Sequence, residues 1–330
     1  WRWVFYVNLI PGLLAAGFVA FAWRDQIVSQ TKPAVDYAGA GLLMSAVVTL
    51  LLGLMDSGTS TGLILIAASI ILFVLLLWVE SRAADPILPL HLFRERLFAV
   101  TIAHGTLTGW AMFGSISFVP LFVQAVLGTS ATRAGITIAP MLLGWVLSSI
   151  VGTRLLLRVG YRNLVMTGTI ALMTGAFFMS RIGVETSQTS LMIFVALMGI
   201  GMGLSIPPFL IAVQTSVERR YLGTATSTMQ FSRSIGGTLG VSVMGAALSL
   251  RLASNLSASG LDPSLVSQLL EPGSGSEALI NTGVRVAMSN AIDLVFMIAF
   301  TAAALSLVIA FLAPRKELKE KASEGESVLV

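Results

Sequence analysis

Nine stretches of the chain are long and apolar enough to read as membrane-spanning helices: about 3–23, 37–55, 61–79, 97–126, 134–157, 163–182, 190–213, 223–250 and 290–312. A spanning helix needs about 20 mainly apolar residues to cross a hydrocarbon core of ~30 Å, and each stretch meets that length. Polar residues fall between the stretches, in connectors that carry most of the charge. The pattern predicts an all-α, polytopic membrane protein with nine transmembrane helices.

Composition agrees with the pattern. The chain is 55% hydrophobic and 11% charged, against about 25% charged for a soluble domain, and its mean hydropathy is +0.88. There is no cysteine, which excludes a disulfide scaffold, a thiol nucleophile and a cysteine-rich metal site. The two histidines, His91 and His104, make no cluster, so neither a metal nor a cofactor is expected. A pI of 9.8 raises nucleic acid as a partner, but the basic residues sit in short loops and form no long run or aromatic-interleaved patch. They read instead as topology-setting charge.

That charge is asymmetric. Fourteen Lys and Arg fall on one side: Arg24, Lys32, Arg82, Arg94, Arg96, Arg154, Arg158, Arg162, Arg219, Arg220, Arg315, Lys316, Lys319 and Lys321. Five fall on the other: Arg2, Arg133, Arg181, Arg251 and Arg285. By the positive-inside rule the tail after Pro314 is cytoplasmic, Trp1 is outside, and the protein is multi-pass in the inner or plasma membrane. The tail RKELKEK interleaves acids with its bases and reads as a solvated helix end. On the outer side, the stretch 252–289 is the longest polar one; Asp262-Pro263 has the form of an N-cap followed by proline at the first helical position, predicting a short helix to about Leu270. Asn255-Leu256-Ser257 matches a glycosylation sequon and is read as a chance match.

Several motifs carry a family resemblance. The opening WRWVFYVNLIPG, the run PLFVQAVLGTSATRAG and the run VQTSVERRYLGTATSTMQFSRSIGGTLGVSVMGAAL together resemble the 14-span drug:proton antiporter branch of the major facilitator superfamily, at its sixth, ninth and thirteenth spans. The loop GTRLLLRVGYR is similar to the second, degenerate copy of the superfamily's G-x-L-x-D-R-x-G-R motif. Arg158, Gly160 and Arg162 match it, whereas the acid position holds Leu157, which weakens a charge-relay role for this loop. The opening motif also departs, reading Asn8-Leu-Ile-Pro11-Gly12. The resemblance covers essentially the whole chain and implies an order of parts. Residues 1–24 would be the last helix of a truncated N-terminal bundle, 25–94 a linker hairpin of two spans, 95–314 a complete six-helix bundle of two inverted three-helix repeats, and 315–330 a cytoplasmic tail. The odd span count and the WRW opening, without initiator Met or leader segment, fit a piece of a longer protein holding spans six to fourteen.

The implied function is proton-coupled export of small lipophilic or cationic compounds by alternating access. Its partners would be the small-molecule substrate, protons and the lipid bilayer, with a periplasmic adaptor as a candidate in a Gram-negative cell. A transporter of a narrower metabolite and a non-transporting membrane remnant remain as alternatives. A membrane-embedded enzyme is poorly supported, because no carboxylate, histidine or metal cluster converges on one face. The fourth and seventh spans would line the cavity. Trp110, Phe113, Phe118 and Gln124 on the fourth and Met202 on the seventh are the candidates, since aromatic surface with sparse polar groups suits flat lipophilic substrates. His104 can titrate near neutrality and is the candidate proton relay; packing is the competing reading. Asp36, Asp56 and Asp293 read as lying near helix ends, which places the coupling acid upstream. Gly199-x-Gly201-x-Gly203 lies within an apolar span and is not a dinucleotide fingerprint. Gly58-Thr-Ser60-Thr-Gly62 matches a hydrolase elbow but sits between two spans rather than after a strand.

Arg233, in QFSRSIGGTLG, is the last basic residue. The polar start TATSTMQ and an apolar run that begins at Ile235 place it near the cytoplasmic edge of a helix about 42 Å long, as an inner-gate candidate, with snorkelling as the alternative. The upstream coding sequence is expected to add about five spans, a buried acid and a full G-x-L-x-D-R-x-G-R loop; a start codon directly before Trp1 would refute that expectation.

Overall fold

The structure, a computed structural model, describes residues 2–22, 36–56, 58–83, 86–88, 90–258, 266, 269 and 282–315. Among these residues are nine long helices and no strand. They are α1 (Arg2–Ala22), α2 (Tyr37–Met55), α3 (Ser60–Glu80), α4 (Arg96–Ala125), α5 (Ala131–Val159), α6 (Tyr161–Met179), α7 (Gln188–Ser216), α8 (Leu222–Ala258) and α9 (Thr282–Phe311). Single 3-10 turns, Leu92–Arg94 and Arg219–Tyr221, precede α4 and α8. Of the short helix expected after Asp262-Pro263 only Val266 and Leu269 are described, both helical, and the tail beyond Arg315 lies outside the described residues.

Eight of the nine helices are apolar and long enough to cross a membrane; α6 is not among them. At 19 residues, α6 carries Arg162, Asn163, Thr167, Thr169 and Thr174, and its threonine hydroxyls are satisfied within the helix, donating to Asn163, Val165 and Ile170 carbonyls. Its apolar face is nonetheless in the core, with Val165 and Leu172 fully enclosed. Two helices are longer than the sequence pattern predicts. α8 runs on to Ala258 and α9 starts at Thr282, because SLRLASNLSA and TGVRVAMSN are too polar to count as span yet good enough to stay helical. Asn255 is therefore inside a helix, with its amide donating to Ala287 O at 3.0 Å.

The chain forms two compact units, one ending at Asp36 and one beginning at Tyr37. The first contains α1, which continues through Pro11. In the second, α2 and α3 form a hairpin. Thr59 caps α3, accepting from Gly62 N at 3.1 Å and donating to Asp56 Oδ2 at 2.8 Å, so the Gly58–Gly62 stretch is a helix cap and not a nucleophile elbow. Ser69 Oγ donates to Ala46 O at 2.8 Å and ties the hairpin's two arms.

Helices α4 to α9 make the bundle. α4 packs along α8 and α9, while α7 packs along α5 and α6; α4 and α7 also touch, as do α6 and α9. Exchanging α4–α5–α6 with α7–α8–α9 reproduces this pairing, so the bundle is built of two repeats that trade partners. The result is three layers: α6 and α9 behind, α4 and α7 in the middle, α5 and α8 flanking the front.

The cross-repeat contacts depend on glycine. A Cβ on Gly109 of α4 would overlap the Arg233 carbonyl of α8, and one on Gly203 of α7 would overlap the Trp145 carbonyl of α5. Arg233 and Trp145 thus hold corresponding places in the two repeats, each with its backbone against a glycine of the other repeat's first helix. Replacing Gly109 by Ala forces α4 and α8 apart and is expected to cost about 1–3 kcal/mol, seen as a lowered unfolding midpoint of the detergent-purified chain. Gly135→Ala, where nothing lies within 4 Å, should lose no stability; equal midpoints for the two variants would contradict the close-approach account.

Candidate functional site

The bundle has two apolar cores, and a polar layer separates them. One core holds Ala111, Phe118, Phe122, Met198, Met202, Met244 and Phe296; the other holds Phe98, Leu156, Tyr161, Val165, Phe209 and Ala310. Between the two, each helix places a polar residue. Thr101, His104 and Thr108 fill this gap on α4, Ser148 on α5, Thr169 on α6, Ser205 on α7 and Ser306 on α9, all buried. On α8 the gap holds Arg233.

His104 is the centre of this layer at the back. It is 1% exposed; its Nε2 lies 2.9 Å from Thr169 Oγ1 and its ring meets Phe209 edge-on at 5.0 Å. Thr169 uses its one hydroxyl proton on Val165 O, at 2.7 Å, so the histidine nitrogen must be the donor. His104 therefore carries its proton on Nε2 and holds α4 to α6. Most other hydroxyls in the layer turn back to their own helix: Thr101 to Leu97 O, Thr108 to His104 O, Ser205 to Gly201 O and Ser306 to Ala303 O.

Arg233 is at the front. The sequence reading places it at the inner edge of its helix, whereas the structure sets it deeper. It lies about three turns inside α8, against Gly109 near the midpoint of α4, with its guanidinium carbon 5.7 Å from the ring centre of Trp145, the middle residue of α5. The edge estimate failed because depth is set by the register of α8 on α4, which no run of apolar residues encodes. Between α4, α7 and α8, a cavity of about 30 Å³ is lined by Thr101, His104, Gln230 and Arg233 among apolar neighbours. That volume and lining suit one water molecule.

The other candidates divide. Trp110 and Phe113 are half-buried, their rings set against Gly240 and Gly237 of α8, and Trp110 Nε1 is enclosed without a hydrogen-bond partner among the described residues. Phe118 and Met202 are inside the first core. Gln124 is exposed in the last turn of α4, its amide donating to Pro120 O at 3.3 Å. None of these five lines the His104–Arg233 cavity.

The degenerate loop motif has a structural task. Gly160 joins α5 to α6 at φ +79°, a conformation that favours glycine, and Arg158 is exposed. Arg162 donates to Phe311 O at 2.9 Å, Tyr161 to Pro314 O, and Arg96 to Leu312 O at 2.8 Å. Together they satisfy carbonyls at the C-terminal end of α9, where cations are also favoured by the helix dipole. At this same end a larger cavity, about 300 Å³, is lined by residues of both signs, Glu95, Arg96 and Glu218 among them, and His91 stacks on Tyr221 at 4.6 Å.

One residue was undervalued by the sequence. Asp293, read as near a helix end, is about three turns inside α9. Its Oδ1 is enclosed and without a hydrogen-bond partner among the described residues, and Arg181, just past α6, is near enough to act on it electrostatically. The first turns of α9 are the polar stretch TGVRVAMSN, so Asp293 lies about one turn into the apolar run, beside the end of α6.

Replacing Thr169 by Val leaves the His104 N–H unpaired in the bundle, with an expected cost of about 1–3 kcal/mol in the unfolding midpoint. Thr169→Ser keeps the acceptor and should stay near the wild type; equal losses would show that the hydroxyl is not what His104 needs.

Comparison with known proteins agrees with this architecture. The sequence profile of the Major Facilitator Superfamily matches residues 1–241. The chain is 36% identical over 258 residues to the multidrug transporter protein MdtP of Bacillus subtilis (strain 168), covering 76% of this chain and 47% of that one. It is 33% identical over 253 residues to multidrug resistance protein 3 of the same organism, covering 74% and 49%. The chain thus spans about half the length of the curated relatives it matches. Among solved structures, a bacterial homologue of the human lysosomal transporter Spinster, in an inward-facing and occupied conformation, superposes with a TM-score of 0.54 at 19% identity, covering 85% of this chain and 66% of the other; it shares the fold. This chain, a multi-pass membrane protein, belongs to the Major Facilitator Superfamily.

Proposed function

We propose that the chain is spans six to fourteen of a secondary active transporter that exports small lipophilic compounds, cationic ones included, in exchange for protons. The observation that carries this reading is the repeat-exchanged bundle with a polar layer at mid-depth between two apolar cores. Such a bundle has two equivalent ways to lean, and a site at the junction of its repeats is reached from either side as it rocks. The kind of substrate rests on the relatives, whose names are those of multidrug transport and resistance proteins.

In this reading the end carrying Arg96, Arg162 and Pro314 is cytoplasmic, as the charge asymmetry implies, and the protein sits in the inner or plasma membrane with lipid around it. Residues before 95 supply the last helix of the N-terminal bundle and a linker hairpin. Trp110 and Phe113, half-buried beside α8, are the aromatic surface nearest a substrate. His104 is the weaker proton carrier, since its Nε2 proton is already given to Thr169. Asp293, with a carboxyl oxygen unpaired among the described residues, is the stronger one in this part of the protein. A periplasmic adaptor would join only in a cell with two membranes.

The test is efflux of ethidium from cells expressing the complete gene. Export should stop when a protonophore collapses the gradient, and Asp293→Asn should slow it about tenfold or more, the usual contribution of a positioned proton-transfer group being larger still. Export that persists without a gradient would sink the antiport reading, and an unchanged rate in Asp293→Asn would remove that residue from the proton path.

A further inference from the structure

Arg233 carries a charge at mid-depth, and no described carboxylate balances it. Among the described residues the ion pair present is Arg220 with Glu218 at the surface, 2.8 Å apart; Arg233 belongs to none. Its guanidinium also donates no hydrogen bond to a described residue, and its polar neighbours in the cavity, Thr101, His104 and Gln230, are all uncharged or neutral donors and acceptors. What it does have is the π face of Trp145, across the front of the bundle. A guanidinium has a flat fork of N–H donors that matches a carboxylate in two places at once, and it stacks on aromatic planes.

The placement adds direction. α5 and α8 flank the front layer, and the Arg233–Trp145 contact bridges them over α4 and α7. Gln230, beside Arg233 in the lining of the small cavity, is exposed. The back of the bundle, by contrast, is closed by His104, Thr169 and the α6–α9 contact. A cation with unused donors, an indole plane and an exposed amide therefore share one accessible front.

Resting on the transport reading, we propose that Arg233 and Trp145 form a subsite for an anionic group carried on an aromatic substrate. The carboxylate takes the guanidinium fork and the ring system lies along the indole. Arg233 then sorts substrates by charge: acidic aromatic compounds are held at this front, and cationic ones are repelled from it and bind elsewhere in the transporter.

The experiment measures export of fluorescein, an aromatic carboxylate, and of ethidium, a cation, by cells carrying the complete gene. The readout is the ratio of the two rates, which does not depend on how much protein reaches the membrane. Arg233→Gln should lower the fluorescein-to-ethidium ratio about tenfold or more, as expected for loss of one charge-assisted pair. Arg233→Lys, which keeps the charge and loses the fork, should fall between; it also serves if Arg233→Gln does not accumulate. Trp145→Leu should lower the ratio by less than Arg233→Gln. An unchanged ratio in the Arg233 variants, whether both rates fall or neither does, overturns the proposal. A wild type that exports ethidium but not fluorescein overturns the subsite alone, whereas one that exports neither in a gradient-dependent way overturns the transport reading with it.

Discussion

Close approach of helix backbones through glycine is the constraint on which this bundle rests. In lipid, one apolar helix face gains little from leaving hydrocarbon for another, so association depends on van der Waals contact and interhelical hydrogen bonds. Gly109 against Arg233 and Gly203 against Trp145 bring α4 to α8 and α7 to α5, two equivalent contacts between one repeat and the other. The same approach decides where the chemistry lies. Arg233 and Trp145 meet because both backbones sit on glycines; with a side chain at either glycine, the helices carrying them would stand farther from the middle layer.

The fastening is uneven. Hydroxyls in the polar layer mostly return to carbonyls of their own helix, so they raise polarity at mid-depth without tying neighbours together. Other side chains do tie helix to helix. His104 joins α4 to α6, and Arg96, Tyr161 and Arg162 close on the last carbonyls of α9. Gln188 of α7 donates to Arg133 O of α5, Gln214 of α7 to Thr226 of α8 and Asn255 of α8 to Ala287 O of α9, so the flanking helices are held as well.

This unevenness also explains what was legible in the sequence. Helices α1 to α7 match their apolar runs to within a few residues, since burial in lipid leaves little choice of composition. The ends of α8 and α9 were missed because hydropathy stops where the membrane does, while a helix continues wherever its residues permit. Met202 and Gln124 went to opposite surroundings, core and exposed face, because α4 and α7 are apolar nearly all round and give no sign of which side faces what. Arg158, Gly160 and Arg162 were visible as a motif, but that Arg162 caps α9 follows only from the fold. The tautomer of His104 likewise needs Thr169, 65 residues away.

Arg233 shows where sequence and structure must be combined. Placing a guanidinium at the centre of a spanning helix costs at least about 2.5–3.5 kcal/mol on insertion scales. At the inner edge, snorkelling would remove most of that, and the residue would need no further explanation. Three turns inside α8 and level with the middle of α4 and α5, it cannot reach the helix end. The contact with Trp145 offsets about 0.5–2 kcal/mol, which falls short. The difference must come from water at the front or from an anion that binds there. Water alone would make Arg233 a tolerated cost with no reason to be an arginine. An anion makes its fork, its place opposite an aromatic plane and its lack of a carboxylate partner among the described residues parts of one arrangement.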